Sequence, residues 1–177
     1  MMTVTWVMMA GLPGTGKSTL ARAVCARVGG TVLDKDRVRE ALFAGALTDY
    51  TREQDDLCVR AMLEAARYLT AHRKVEYIFI DGRTFSRRVQ IEEVIFAAEA
   101  AGAGWRIVQV TCSDAVAEER LSRKDPENPA TNRDMTLYRQ VKAGFEPIPY
   151  PKLEVDTSEG VDGVVEDVCG WLFAELS

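Results

Sequence analysis

Short apolar segments alternate along the chain with longer segments in which apolar residues recur every three or four positions. The short runs predict β-strands, and the periodic stretches predict amphipathic helices. The predicted strands are residues 4–9, 29–34, 75–81, 105–112 and 152–157. The predicted helices are residues 17–28, 36–43, a longer helix from 51, 87–102, 114–124, 135–144 and a last helix whose apolar side begins at Val161.

Regular alternation of strands and helices is typical of a parallel sheet whose helices cover both faces, so the expected fold class is α/β. No internal repeat or linker divides the sequence, and we expect one domain over residues 1–177. The capping-box pattern "TREQ" at 51–54 predicts the start of the long helix. Leu57, Ala61, Ala65 and Tyr68 are expected to share one face of that helix.

The composition argues against several classes of protein. The chain has 177 residues, 47% hydrophobic and 28% charged, which suits a single domain with a hydrophobic core. No apolar run approaches the length of a membrane span, and residues 1–10 lack the basic start of a signal peptide. Four scattered cysteines and one histidine argue against a zinc site or a disulfide framework. We therefore expect a cytoplasmic protein with reduced thiols and no membrane association.

The stretch "GLPGTGKS" at residues 11–18 fits G-x-x-x-x-G-K-[ST], the Walker A phosphate-binding loop, at every fixed position. Its glycines let backbone N–H groups surround phosphates, Lys17 can reach the β- and γ-phosphates, and Ser18 offers its hydroxyl to Mg²⁺. A glycine-rich turn with an incidental lysine is the alternative, but a strand precedes this motif and a helix follows it. The predicted nucleotide-binding residues are Gly11, Pro13, Gly14, Thr15, Gly16, Lys17, Ser18 and Thr19.

A second group of candidate residues lies in "VLDKDRVREALF" at residues 32–43. Asp34 and Asp36 stand where a strand ends and a helix begins, the edge that faces the ligand crevice of a doubly wound sheet. Asp36 and Arg39 are three residues apart and can share a face, so Asp36 can accept a hydroxyl proton while Arg39 binds the acceptor. Alternatively, Asp36 caps the helix and Arg39 is solvated, or Asp34 is the base.

The strand "YIFID" ends in Asp81, as in a Walker B motif, which predicts a carboxylate that organises Mg²⁺ together with Ser18. A strand-end aspartate is also common in ordinary turns. Arg83 follows, and it either reaches the acceptor or lies at the surface. A GTPase would carry an N-K-x-D-type guanine motif late in the chain, and none is present, so ATP is the expected nucleotide.

Basic residues flank the polar loop 124–134. Arg120, Arg123 and Lys124 end one predicted helix, and Arg133 and Arg139 follow the loop. We expect a lid over about residues 120–140 that brings Arg120 or Arg123 to the phosphates. The alternative is that cations at a helix C-terminus only complement the helix dipole.

Together these residues resemble the small P-loop kinase group that includes the polynucleotide 5′-kinase domain, gluconate kinase, zeta toxin and chloramphenicol phosphotransferase. The pattern D-x-x-R at 36–39, the strand ending in Asp81 and R-x-x-R/K at 120–124 carry the resemblance. It implies a three-layer P-loop NTPase fold with a five-stranded parallel sheet of adenylate-kinase type. It also implies that Asp36 is the general base, that Arg39 contacts the acceptor and that Arg120 binds near the adenine or the lid phosphates. The resemblance further implies that the loop after the last strand lies near the nucleotide base, with Thr157 and Ser158 as candidates there.

Three functions fit these features. The first is ATP-dependent phosphoryl transfer to a hydroxyl of a small molecule, and the second is a polynucleotide 5′-hydroxyl kinase. The third is a non-catalytic or slowly hydrolysing NTP-binding protein. The net charge of −5 gives no overall attraction for nucleic acid and favours the small acceptor. Residues 41–50 could line an acceptor pocket or contact another copy, so the oligomeric state stays open.

Overall fold

The computed structural model describes residues 3–123 and 132–174. The strands are β1 (Thr5–Ala10), β2 (Thr31–Asp34), β3 (Tyr77–Asp81), β4 (Gly104–Thr111) and β5 (Leu153–Asp156). The α-helices are α1 (Lys17–Val28), α2 (Lys35–Leu42), α3 (Arg52–Ala71), α4 (Arg88–Ala100), α5 (Asp114–Ser122), α6 (Met135–Ala143) and α7 (Asp162–Phe173). A short 3₁₀ helix, Gly45–Leu47, follows α2.

The strands form one sheet in the order β2-β3-β1-β4-β5, and every neighbouring pair is parallel. The predicted α/β fold with a five-stranded parallel sheet is therefore confirmed. The bounds of the predicted elements agree with the structure to within two residues. Within the described ranges, every helix is too short or too polar to cross a lipid bilayer.

Side chains of the central strand β1 alternate between two hydrophobic clusters, as the two-residue period of a strand requires. Trp6 and Met8 pack with buried residues of α3 and α4 on one face of the sheet. Val7 and Met9 pack with α1 and α7 on the other face. Both faces of β1 are thus covered, which explains why its residues 6–10 are apolar without interruption.

The predicted apolar face of the long helix α3 was wrong. Leu57 is 39% exposed and Tyr68 is 58% exposed, and both lie on the solvent side. The buried stripe of α3 consists of Gln54, Cys58, Val59, Met62, Leu63, Ala66 and Thr70. This stripe has adjacent apolar pairs one turn apart, which cover more core surface than single residues spaced by three or four.

The carboxyl ends of three strands meet at one edge of the sheet, where the candidate residues lie. The Walker A loop follows β1, and Asp34 of β2 stands in register beside Asp81 of β3. In parallel sheets of this kind, ligands bind in the crevice outside the carboxyl ends of the strands. The topology therefore places the phosphate-binding loop and both carboxylates around one crevice.

Gly82, directly after Asp81, lets β3 pass close to the start of α2. Its φ is +81°, and a Cβ there would lie 2.7 Å from the Lys35 amide nitrogen and 2.8 Å from Asp34 Oδ1. Gly82→Ala is therefore expected to lower the free energy of unfolding by about 1–3 kcal/mol, measured by urea denaturation.

Gly170 in α7 is the matched control, because a Cβ there meets no atom within 4 Å. Gly170→Ala should be neutral or stabilising by about 0.5–1 kcal/mol, since alanine is the better helix former. Equal stability of the Gly82→Ala variant and the parent would show that the close approach of β3 to α2 is relaxed in solution.

Candidate active site

The Walker A loop takes a conformation that depends on its first glycine. Gly11 has a φ of +142°, and a Cβ at this position would collide with the Val110 carbonyl oxygen. The Thr15 hydroxyl donates to the Leu12 carbonyl at 2.9 Å, which ties the loop to itself. Lys17 Nζ also donates to the Leu12 carbonyl, at 2.6 Å. The lysine is therefore folded over its own loop, in the position where it can meet phosphate oxygens.

Burial disfavours the charged form of Lys17. Lys17 is the first residue of α1, and only 7% of its surface is exposed. Desolvation, followed by repulsion from Arg133, lowers the pKa of Lys17 to about 8, while the carboxylates of Asp81 and Asp36 act in the opposite direction. A polyphosphate next to this ammonium would restore its preference for the charged form.

This environment predicts that ATP binding is coupled to proton uptake. In the protein without ATP, a large fraction of Lys17 is deprotonated just above pH 8. Binding of the phosphates should raise the pKa of Lys17, so that the lysine takes up a proton. Well below that pH the lysine is already charged, so uptake should vanish. Isothermal titration calorimetry in buffers of different ionisation enthalpy measures the number of protons taken up on ATP binding at each pH.

Lys35 provides the control for this measurement. Burial also lowers the pKa of Lys35 to about 8, but its ammonium pairs with Asp55 at 2.9 Å. A Lys35→Arg variant should keep the proton uptake of the parent. Uptake that is equal at both pH values in the parent would contradict the predicted role of Lys17.

Asp81 is the most completely buried carboxylate of the crevice. It is 0% exposed, and neither carboxylate oxygen has a hydrogen-bond partner among the described residues. Its negative charge also helps to raise the pKa of Asp34, after the larger contribution of burial. A buried carboxylate with free lone pairs needs a cation or water beside it.

Magnesium fits these free oxygens. No group of three histidine, cysteine or acidic side chains in the described part of the chain is arranged to hold a metal ion. Mg²⁺ in phosphate-transfer sites usually takes one or two protein ligands, with waters and substrate phosphates completing its shell. Ser18 in the first turn of α1 and Asp81 at the end of β3 would be those residues.

The two acidic residues at the start of α2 differ in their contacts. Asp34 is the N-cap, and its side chain accepts a hydrogen bond from the Asp36 amide at 2.9 Å. The alternative in which Asp36 caps the helix is therefore wrong. Asp36 lies in the first turn, 6% exposed, with its carboxylate turned to other partners.

Two arginines hold the Asp36 carboxylate. Arg39 Nη1 lies 2.8 Å from Asp36 Oδ1, and Arg133 Nη2 contacts Oδ2. Arg39 is only 3% exposed, so the alternative of a solvated Arg39 is also wrong. Its guanidinium pairs with Asp55 as well and lies 5.0 Å from the centre of the Tyr50 ring. Arg39 thus belongs to a fixed network.

Arg83 extends this network along α3 and α4. Its guanidinium reaches Glu93 at 2.8 Å and Asp56 at 3.3 Å. Together with the Lys35–Asp55 pair, these contacts neutralise the cations around Asp36. Arg83 is therefore a largely buried residue whose charge is already paired with two carboxylates.

Arg120 joins the Walker A loop to the loop after β5. It donates to the Thr157 carbonyl at 2.6 Å, the Thr157 hydroxyl at 3.0 Å and the Gly14 carbonyl at 3.4 Å. The Thr157 hydroxyl donates in turn to the Thr15 carbonyl at 2.7 Å. The sequence predicts that Arg120 and Thr157 both lie near the nucleotide, but it does not predict that they contact each other. Ser158 instead accepts a hydrogen bond from the Ser113 amide at 3.0 Å.

The second predicted lid arginine pairs with a neighbouring residue of its own segment. Arg123 pairs with Glu119 one turn earlier, and 71% of its side chain is exposed. Lys124 and residues 125–131 of the predicted lid lie outside the described residues. Arg133, which reaches Asp36, was missed as a site residue because its partner is 97 positions away in the sequence.

The remaining loop residues support the backbone of the phosphate cradle. Pro13 is buried, while Thr19 faces solvent on α1. Gly14 packs against α5, where a Cβ would lie 2.9 Å from Leu121 Cγ. Gly16 has a φ of +84° and forms the N-cap of α1. These positions keep the loop backbone close to the start of α1.

A family model described as the AAA domain matches residues 7–148. The matched range begins in β1, ends after α6 and contains the Walker A loop, Asp36, Asp81, Arg120 and Arg133. A comparison with curated protein sequences finds no match.

Several solved structures share the fold of this chain. A candidate kinase from Chloroflexus aurantiacus has a TM-score of 0.77 and 20% identity, with 100% of both chains covered. The APS kinase of Mycobacterium tuberculosis has a TM-score of 0.70 and 19% identity, covering 97% of this chain and 99% of that one. A gluconokinase from Sinorhizobium meliloti has a TM-score of 0.67 and 16% identity, covering 97% and 92%. These likenesses establish a common fold, and together with the family match over residues 7–148 they confirm the resemblance to small P-loop kinases.

Proposed function

The chain belongs to the AAA domain family, and on that premise we propose that it transfers the γ-phosphoryl group of ATP to a hydroxyl group of a small molecule. The observation that carries the proposal is the position of Asp36. Its buried carboxylate lies close enough to the Walker A lysine to influence the pKa of Lys17. Asp36 also follows the end of β2, at the same edge of the sheet as the Walker A loop, so a potential base lies at the edge where the phosphates are predicted to bind.

The transfer would use residues from three strand ends. The loop amides and Lys17 hold the β- and γ-phosphates, and Ser18 and Asp81 hold Mg²⁺. When bound, Mg²⁺ neutralises charge on the phosphate oxygens. Asp36 accepts the proton of the acceptor hydroxyl as the new oxygen–phosphorus bond forms. The bond between the γ-phosphorus and the bridging oxygen breaks, and ADP leaves with that electron pair.

Arg39 would keep Asp36 in place during this reaction. Its contacts with Asp36, Asp55 and Tyr50 fix the guanidinium on three sides. We therefore assign Arg39 a positioning role toward the base, in addition to the predicted contact with the acceptor.

The charge pattern around Asp36 favours a small acceptor over a polynucleotide. A strand of phosphates needs a groove of uncompensated positive charge. Here Lys35, Arg39, Arg83 and Arg133 each pair with a carboxylate. The APS kinase neighbour was solved with both AMPPNP and APS, so this fold can hold a nucleotide and a small acceptor together.

Two parallel incubations test the proposal. The purified protein with Mg²⁺ and γ-labelled ATP is mixed with a small-metabolite extract or with a 5′-hydroxyl oligonucleotide. We expect a metabolite that gains one phosphoryl group in the parent but not in a Lys17→Ala variant. Label on the oligonucleotide would make the protein a polynucleotide kinase. Intact ATP binding without any labelled acceptor would leave the non-catalytic NTP-binding function.

A further inference from the structure

We propose that Arg133 is the arginine that contacts the γ-phosphoryl group, and that it releases Asp36 to the acceptor when it does so. The inference rests on the proposed phosphoryl transfer and adds to it a catalytic residue and an order of binding. It assigns to Arg133 the role that the sequence pattern predicts for Arg120 or Arg123.

The contacts of Asp36 show why a release step is needed. Oδ1 accepts from Arg39 and Oδ2 accepts from Arg133, so both carboxylate oxygens carry a cationic partner. An acceptor hydroxyl must compete with one of these arginines to reach the base.

The two arginines differ in how firmly they are held. The side chain of Arg39 is 4% exposed and has Asp55 and Tyr50 as further neighbours. The side chain of Arg133 is 25% exposed and lies on the segment that leads into α6. A partly exposed arginine can change partners by rotating its own side chain, whereas a buried one in a network cannot. Arg133 is therefore the partner that a ligand can displace.

The charge of Arg133 also reaches the phosphate-binding loop. Repulsion from this guanidinium helps to lower the pKa of Lys17, after the larger effect of burial. Arg120 is committed to the Thr157 and Gly14 carbonyls, and Arg123 points to Glu119. Among these three arginines, Arg133 is the one that both contacts the proposed base and acts electrostatically on the Walker A lysine.

Binding of ATP would offer Arg133 a stronger anionic partner than Asp36. The γ-phosphate carries more negative charge than one carboxylate, and a guanidinium can bind its oxygens with two parallel hydrogen bonds. If Arg133 turns to this group, it stabilises the charge of the transition state and leaves Asp36 Oδ2 open for the acceptor hydroxyl. ATP would therefore bind before the acceptor, and ADP, which lacks the γ-phosphate, would not free the base.

The test compares the affinities for ATP and ADP by calorimetry with Mg²⁺ and without any acceptor. Arg133→Gln should weaken ATP binding about tenfold and leave ADP binding nearly unchanged, while Arg133→Lys should recover part of the loss. Asp36→Asn should strengthen ATP binding, because the arginine no longer has to leave a carboxylate. In the Arg133→Gln background, Asp36→Asn should have no such effect.

Arg139→Gln is the matched control, since Arg139 is an exposed arginine on α6. It should change neither affinity, and thermal unfolding should show that all variants are folded. Equal losses for ATP and ADP in Arg133→Gln, or no loss for either, would overturn the inference. So would an Asp36→Asn effect that persists without Arg133. Because no acceptor is used, failure to find a phosphorylated product would count against the proposed function and not against this contact.

Discussion

Replacing Lys17 with alanine is expected to lower phosphoryl transfer by about a thousandfold while leaving the fold intact. The lysine is the charged group of the Walker A loop and lies folded over it, 2.6 Å from the Leu12 carbonyl. Its burial is costly to the folded protein, as the lowered pKa of about 8 shows. The variant should therefore unfold cooperatively with a free energy of unfolding no lower than that of the parent.

Lys74→Ala is the control for this prediction, because Lys74 is an exposed lysine in the turn after α3. Its transfer rate, measured with γ-labelled ATP, should match the parent. A Lys17→Ala variant that keeps full activity would show that the loop lysine serves the fold alone. A variant that fails to unfold cooperatively would place Lys17 among the structural residues.

Replacing Asp36 with asparagine is expected to lower transfer by about 10²–10⁴-fold, the usual contribution of a general base. Asparagine has the same shape but cannot take the proton of the acceptor hydroxyl. ATP binding should survive, because Asp36 contacts arginines and not the Walker A backbone. The initial rate of product formation at saturating ATP measures the loss.

Asp34→Asn separates this effect from a general change of charge at the start of α2. Asp34 caps the helix through the Asp36 amide, and asparagine is an equally good cap. The Asp34→Asn variant should therefore lose far less activity than Asp36→Asn. The opposite ranking would make Asp34 the base, the alternative that the sequence leaves open.

The parts of the site that were predictable from sequence are local ones. The Walker A loop is eight consecutive residues whose glycines and lysine define its conformation. Asp36 and Arg39 are three positions apart on one helix, and the structure joins them at 2.8 Å. The alternation of strands and helices was enough to predict the parallel sheet, because crossover connections leave few other arrangements.

The parts that sequence reasoning missed depend on contacts between distant segments. Arg133 meets Asp36 across 97 positions, and Arg120 meets Thr157 across 37. Nothing in the local pattern distinguishes Arg133 from the other basic residues near the loop 124–134. Arg123 did carry a usable signal, since Glu119 lies one turn earlier and spacing of four favours an ion pair.

The fate of the γ-phosphorus of ATP shows whether the protein transfers a phosphoryl group to a small acceptor. Phosphorus NMR of the protein with Mg²⁺, ATP and the small-metabolite extract follows that atom as ATP is consumed. We expect a new phosphomonoester signal that grows with ADP and is nearly absent with Asp36→Asn. Release of inorganic phosphate alone, at the same rate in the parent and in Asp36→Asn, would contradict it.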